Sequence, residues 1–173
     1  VDLLNAFRRE PGCFLLESSM LSPERGRYSY FGYDPFLTVK GNDLKAFANL
    51  EKTYHRFCCP PKAALTPFSS GLVGYLSYDF GLQFERIKSR PTQSGLPGFL
   101  FGFYDCIITI DHFKKKLIIS STGLPETNTS LRKKRARVRL QRVEKILMRI
   151  SSQEIPKVQS RREPLYFKIN FTK

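Results

Sequence analysis

The sequence is short of the groups that most often announce an enzyme. Histidine occurs twice, as His55 and His112. Neither accompanies a nucleophile pattern such as Gly-x-Ser-x-Gly, so no hydrolase triad is written here. The run Gly71-Leu72-Val73-Gly74 lacks a following Gly-Lys-Ser/Thr, which excludes a phosphate-cradling loop. No apolar run reaches the roughly 18–20 residues that a membrane-spanning helix needs. The N-terminus lacks a basic stretch leading into an apolar one, so no secretory signal is visible. Cysteine is limited to Cys13, Cys58, Cys59 and Cys106. Their spacing fits no zinc pattern, and adjacent Cys58 and Cys59 cannot easily pair with each other. Reduced, mostly buried thiols and a cytoplasmic location are the expectation. No internal repeat or low-complexity tract is evident. Acidic residues are scarce as well: 15 Asp and Glu stand against 29 Lys and Arg, a net charge of +14. That balance points towards anionic partners, and the placement of the charge decides which.

What is present suits a folded domain. The chain has 173 residues, 41% of them hydrophobic and 13% aromatic. This is enough for one domain with a real core, and it argues against disorder. The start at Val1 and the end at Phe171-Thr172-Lys173, inside a polar-aromatic stretch, read as a piece of a longer protein.

Periodicity sets the expected elements. A short helix over 2–9 ends at Pro11-Gly12. Strands are expected over 13–18 and 27–32, and 36–40 runs back as the hairpin-like partner of the second. Gly41-Asn42-Asp43 supplies a turn and the cap of an amphipathic helix over 43–57, with Leu44, Phe47, Leu50 or Glu51, Tyr54 and Phe57 at helical spacing. A strand follows over 71–78, then a long loop over 80–97. Residues 99–111 read as one long strand, paired with 117–122 through a basic turn at 112–116. Residues 130–150 form a long helix with Ala136, Leu140, Val143, Leu147 and Ile150 along one side. Tight turns between strands imply antiparallel pairing. The expected class is α+β, an antiparallel sheet with helices packed on one face.

The motifs carry a resemblance. Phe14-Leu15-Leu16-Glu17-Ser18, then Gly26-Arg27-Tyr28-Ser29-Tyr30-Phe31-Gly32-Tyr33-Asp34-Pro35, resemble the opening of the N-terminal domain shared by component I of anthranilate synthase and of aminodeoxychorismate synthase. The likeness continues through Gly71 to Asp79, Glu85-Arg86, Leu96-Pro97, Gly102 to Asp105, Ile110-Asp111-His112 and Ser120 to Gly123. It covers about residues 12–125 in order, which is more specific than any single motif. It implies that residues 1–125 are the N-terminal domain, that 126–165 are its basic helix and linker, and that 166–173 are the junction to a C-terminal catalytic domain. The run from Gly71 to Gly123 looks more like the aminodeoxychorismate branch, and Leu-Glu-Ser is shared with the anthranilate branch, so the resemblance implies the branch that makes 4-amino-4-deoxychorismate for p-aminobenzoate and folate, with the tryptophan-regulated anthranilate branch as the alternative.

The same resemblance supplies the chemistry. The parent enzyme aminates chorismate, with magnesium neutralising the substrate carboxylates and ammonia from a fused or separate glutamine amidotransferase. Those catalytic and metal-binding residues belong to the C-terminal domain. No catalytic residue, metal or cofactor is therefore expected in this segment. Its expected partners are its own C-terminal chorismate-binding domain and the amidotransferase subunit.

One ligand site is implied. In the anthranilate branch the Leu-Leu-Glu-Ser strand lines a regulatory tryptophan pocket. A zwitterionic amino acid needs an anion or carbonyls, donors for its carboxylate, and an apolar slot. Glu17, Ser18 and the face of Tyr28 supply parts of this, with Arg27 either at the pocket mouth or in a surface salt bridge of little worth. The plainer alternative places Glu17 and Ser18 at a solvated strand end and Tyr28 in the core. Asp79, Asp105 and Asp111 are assigned to turns and strand ends.

The positive charge concentrates at 132–149, with nine Lys/Arg and one Glu. These residues are expected opposite the apolar stripe. A solvated helix face ranks first, docking to an acidic partner second and nucleic acid third, because no aromatics interleave with the charges. An independent basic α+β nucleic-acid-binding module is thus the alternative of another class. The 173-residue chain is expected to turn over no chorismate when assayed with ammonia and magnesium. Any measurable product would contradict the assignment of catalysis elsewhere.

Overall fold

A strand that changes sheets organises the chain. The computed structural model describes residues 3–18, 20, 22, 25–57, 66–85 and 95–151. Cys58, Cys59, Arg86 and the expected junction at 166–173 lie outside them. In order, the elements are α1 (Leu3–Phe7), β1 (Phe14–Leu16), β2 (Tyr28–Gly32), β3 (Leu37–Gly41), α2 (Leu44–Phe57), β4 (Gly71–Leu76), α3 (Tyr78–Phe84), β5 (Phe99–Tyr104), β6 (Cys106–Asp111), β7 (Lys116–Ser121) and α4 (Thr129–Ser151). The class is α+β and every strand pairing is antiparallel.

Among the described residues, the single expected sheet is in fact two. One has the order β1-β2-β6-β7, and the other β3-β5-β4. The expected long strand over 99–111 is broken at Asp105, where the chain passes from the second sheet into the first. The break has a simple geometric effect. Side chains alternate along a strand, so one extra residue exchanges the two faces. In β5 the odd positions Phe99, Phe101 and Phe103 pack into the cluster with Leu50 and Phe80. In β6 the even positions Cys106, Ile108 and Ile110 pack into the cluster with Phe7, Phe31, Tyr33 and Val143. Asp105 thus lets one continuous chain present a core face to two different groups of helices.

The expected β2–β3 hairpin is also replaced. β3 pairs with β5, with Leu37 opposite Phe103 and Gly41 opposite Phe99. The cause is the turn between them. Asp34 takes a left-handed conformation, φ +50°, which Asp tolerates better than most residues. Its amide donates to the Pro11 carbonyl at 2.7 Å, and the Phe36 amide donates to the Phe103 carbonyl at 2.9 Å. The chain is handed from one sheet to the other before a hairpin can close. The β6–β7 hairpin forms as expected, with Ile108 opposite Ile119.

Caps fix the helices. Asp43 Oδ1 accepts from the Ala46 amide at 2.7 Å at the start of α2. Ser77 Oγ accepts from the Phe80 amide at 3.2 Å, so part of the expected loop over 80–97 is the short helix α3. Asp79 lies in the first turn of α3 rather than at a strand end. Phe47, Phe80, Phe84 and Phe99 stack edge to face or tilted at 5.4–5.6 Å. Of the described thiols, Cys106 is buried and Cys13 is exposed, donating to the carbonyls of Phe7 and Glu10 beyond α1.

The long helix α4 runs as expected, but it sits differently. Asn128 Oδ1 accepts from the amides of Ser130 and Leu131 at its start. Val143 is fully buried, with Ile146 and Leu147 packed beside it. Arg139, expected in water, is only 6% exposed. Its Nη1 donates to Asp34 Oδ2 at 2.6 Å, and its Nη2 donates to the carbonyls of Tyr33 and Asp34. Its Nε lies 3.3 Å from Asp105 Oδ1, and Arg135 Nε donates to Asp105 Oδ2 at 3.2 Å. Arg142 bridges Glu10 at 2.6 Å and Asp34 at 3.3 Å. The guanidinium carbons of Arg139 and Arg142 lie 5.1 and 5.8 Å from the centre of the Tyr33 ring.

The helix is therefore turned towards its arginine side. The reason is Asp105, whose side chain is completely buried. Burial pushes its carboxyl up, while Arg139 and Arg135 act in the opposite sense. A carboxylate in that position requires cations close by. At the entry to α4, Arg132 Nε donates to the Thr122 carbonyl at 2.7 Å. Gly123 (φ +69°) allows the close approach, since a Cβ there would collide with the Arg132 carbonyl.

Replacing Asp105 by Asn keeps the shape and removes the charge. It is expected to cost about 3–5 kcal/mol of stability by leaving guanidinium groups buried without their counter-ion. Urea unfolding followed by circular dichroism measures it. A loss of less than about 1 kcal/mol would show the pair to behave like an ordinary surface bridge.

Candidate amino-acid pocket

The residues singled out for ligand binding lie around the end of β1 and the start of β2. Glu17 follows β1 directly and is exposed. Ser18 is half-buried, and its hydroxyl donates to the Met20 carbonyl at 3.3 Å. Gly26 (φ +74°) comes back against it: a Cβ there would meet Ser18 Oγ at 2.8 Å. The structure therefore brings Ser18 against Gly26, just before Arg27 and the strand that begins at Tyr28.

Tyr28 is half-buried rather than a core residue. The Arg27 guanidinium lies over its ring at 4.8 Å. The rings of Tyr28 and Tyr30 are 6.1 Å apart, and Phe68 meets Tyr30 edge to face at 5.6 Å. Leu16, 47% exposed, stands opposite Tyr30 in the β1–β2 register. On the other side of Tyr30, in the β2–β6 register, is Thr109. The Thr109 hydroxyl is buried and has no hydrogen-bond partner among the described residues. Leu16, Tyr28 and Tyr30 thus make an aromatic and aliphatic wall with hydroxyls at its margin. Such a wall suits a flat apolar ring carrying a polar group. Tyr30, Phe68 and Thr109 were not among the sequence candidates. Strand alternation from Tyr28 was the available signal for Tyr30.

Arg27 has another task. Its Nη2 donates to Asp111 Oδ2 at 2.8 Å, and its Nε lies 3.2 and 3.3 Å from the two carboxylate oxygens. Asp111 Oδ1 also accepts from the amides of Phe113 and Lys114 at 3.1 and 3.0 Å. The Asp111 side chain is only 3% exposed, so this is not the surface bridge expected from the sequence. It ties the start of β2 to the turn after β6, beside the 2.7 Å contact between Ser29 Oγ and His112 Nε2. A guanidinium already held by a carboxylate is poorly placed to take a ligand's carboxylate.

Open concavities of about 270 Å³ and about 480 Å³ lie beside α4 and beside Gly41, Asn42 and Leu96. Neither is lined by Glu17 or Ser18. Among the described residues, no three His, Cys, Asp or Glu side chains converge as a metal site would require. Among them, no helix is long and apolar enough to cross a membrane.

Comparison with known families decides the affiliation. The chorismate binding enzyme family matches residues 14–172. This chain belongs to that family. It is 33% identical over 135 residues to anthranilate synthase component 1 of Thermus thermophilus, covering 69% of this chain and 28% of that protein. It is 33% identical over 136 residues to anthranilate synthase component 1 of Saccharomyces cerevisiae, covering 73% and 26%. The crystal structure of anthranilate synthase component I from Streptococcus pneumoniae TIGR4 superposes with a TM-score of 0.57 at 19% identity, over 89% of this chain and 35% of that one. The last likeness concerns the fold. The chain spans about a quarter of the length of these curated relatives.

The Arg27–Asp111 pair gives a pH prediction. Arg27, followed by the backbone amides, holds the Asp111 carboxyl down at about 2, against 3.8 when free. Its contribution to stability is complete above the free value and is lost as pH falls from about 4 towards 2. A carbon-detected NMR titration is expected to place the Asp111 midpoint near 2. Arg27→Met is expected to return it towards 3.8. A midpoint near 3.8 in the unsubstituted chain would contradict the pairing.

Proposed function

We propose that the chain is the N-terminal, non-catalytic domain of an anthranilate synthase component I, and that it supplies half of an amino-acid pocket. The main support is the family match together with the names of the relatives. The leaning towards the aminodeoxychorismate branch rested on the run from Gly71 to Gly123. The relatives reported above, at 33% identity, are called anthranilate synthase component 1 and favour the anthranilate branch. Two relatives at 30% identity, from Geobacillus stearothermophilus and Acetivibrio thermocellus, carry the same name.

On this reading the activity of the whole enzyme, the amination of chorismate, resides in a chorismate-binding domain joined to this one. Magnesium acts there, and a glutamine amidotransferase supplies the ammonia. The wall of Leu16, Tyr28 and Tyr30 takes the ring of tryptophan. Ser18 and the backbone carbonyls near it take the ammonium, and Glu17 adds negative charge at the entrance. Because Arg27 is engaged by Asp111, the ligand's carboxylate must be held from the adjoining domain. Half a pocket implies weak binding.

Two measurements test this. The full gene product, assayed with chorismate, ammonia and magnesium, is expected to yield anthranilate. Formation of 4-amino-4-deoxychorismate would overturn the branch assignment. Calorimetry of the 173-residue chain with L-tryptophan is expected to show weak binding or none, and a sub-micromolar affinity would refute the half-pocket.

A further inference from the structure

The arginines that anchor α4 leave a second, outward stripe on the same helix. Leu131, Lys134, Val138, Gln141, Lys145 and Met148 recur at 3-4-3-4-3 spacing, which keeps them on one side of a helix. All six are exposed. Leu131 and Val138 are 53% and 55% exposed, and Met148 is 67% exposed. This side is distinct from the packed one that carries Arg139 and Val143. At its N-terminal end, Leu131, Lys134 and Val138 border the depression of about 270 Å³.

The stripe has the composition of a docking face. Leu131 and Val138 stand where the first two a positions of a heptad would fall and Met148 where its last d would, with Lys134, Gln141 and Lys145 at the positions between. Single exposed apolar residues are ordinary on a surface, but an ordered row of them is less so. A row that mixes apolar anchors with cations complements a helix whose own apolar row is flanked by carboxylates. A second copy of this chain is a poor occupant. Both copies carry +14, and stripe against stripe would bring lysine to lysine. Nucleic acid also fits less well. α4 contains no aromatic residue on which a base would stack, and Leu131 and Val138 would gain nothing from phosphates.

We propose that the outer stripe of α4 is the docking surface for an acidic amphipathic helix of a partner protein, with Leu131 and Val138 as anchors and Lys134 and Lys145 as its charge partners. The inference is independent of the amino-acid pocket and of the anthranilate assignment. The probe is a fluorescein-labelled synthetic helix with leucine at its a and d positions and glutamate at e and g. Titrated with the 173-residue chain, it is expected to bind saturably and to shift the amide resonances of 131–148. Val138→Glu, and separately Lys134→Glu combined with Lys145→Glu, are each expected to weaken binding by at least about tenfold. Melting curves check that these exposed substitutions leave the fold intact. A peptide of the same composition, with its leucines scattered off one face, is expected to bind at least about tenfold more weakly. No saturable binding, or equal binding by the scattered peptide, would overturn the proposal. So would stronger binding of single-stranded RNA or of phosphatidylserine vesicles that displaces the peptide.

Discussion

A carboxylate buried at a strand junction dictates how this domain closes. Asp105 lies where β5 becomes β6, with no exposure to solvent. An ionised group in that position must be neutralised from nearby, and the cations come from α4. The same Arg139 also reaches Asp34, the residue that turns the chain from the first sheet into the second. One guanidinium therefore touches both places where the chain crosses between sheets. The orientation of α4, the burial of Val143 and the packing of Phe7 and Phe31 follow from that attachment.

The parts of the fold that were legible are those governed by local rules. Helical spacing and the Gly41-Asn42-Asp43 turn located α2 within a residue of its observed start, and Asp43 proves to be the cap. The basic turn and its flanking β-branched strands located the β6–β7 hairpin. What was not legible came from long-range geometry. Nothing local in 99–111 marks Asp105 as a break, because both faces of that segment are apolar and alternation gives no contrast. The left-handed Asp34 hides in a Tyr-Asp-Pro turn that also fits a hairpin. For α4, the apolar stripe predicted the packed side well enough to bury Val143. It could not show that an arginine would be drawn to that side by a partner about thirty residues away, as in the Arg135–Asp105 contact.

The candidate pocket divides in the same way. Glu17, Ser18, Arg27 and Tyr28 were picked from the family's motifs, and the loop geometry does bring Ser18 against Gly26, just before the β2 strand. Arg27 is a different matter, because its partner Asp111 is 84 residues away. From the sequence, Arg27 is a candidate for a surface salt bridge with no partner named, and Asp111 is assigned to a turn or strand end. Tyr30 and Thr109 complete the wall through strand registers that become visible once the pairing is known.

The distances in sequence bear on the order of folding. Arg139 and Asp34 are separated by 105 residues, while the β6 and β7 strands close over a short turn. Loop closure of that length is entropically expensive until other contacts shorten it. The local hairpin and the capped helix α2 can form early, but the arginine clasp requires both sheet crossings to be in place. It behaves like a latch, closing on a framework already built. A chain whose β5–β6 junction has not formed offers α4 no counter-charge and leaves it a detached, strongly cationic helix.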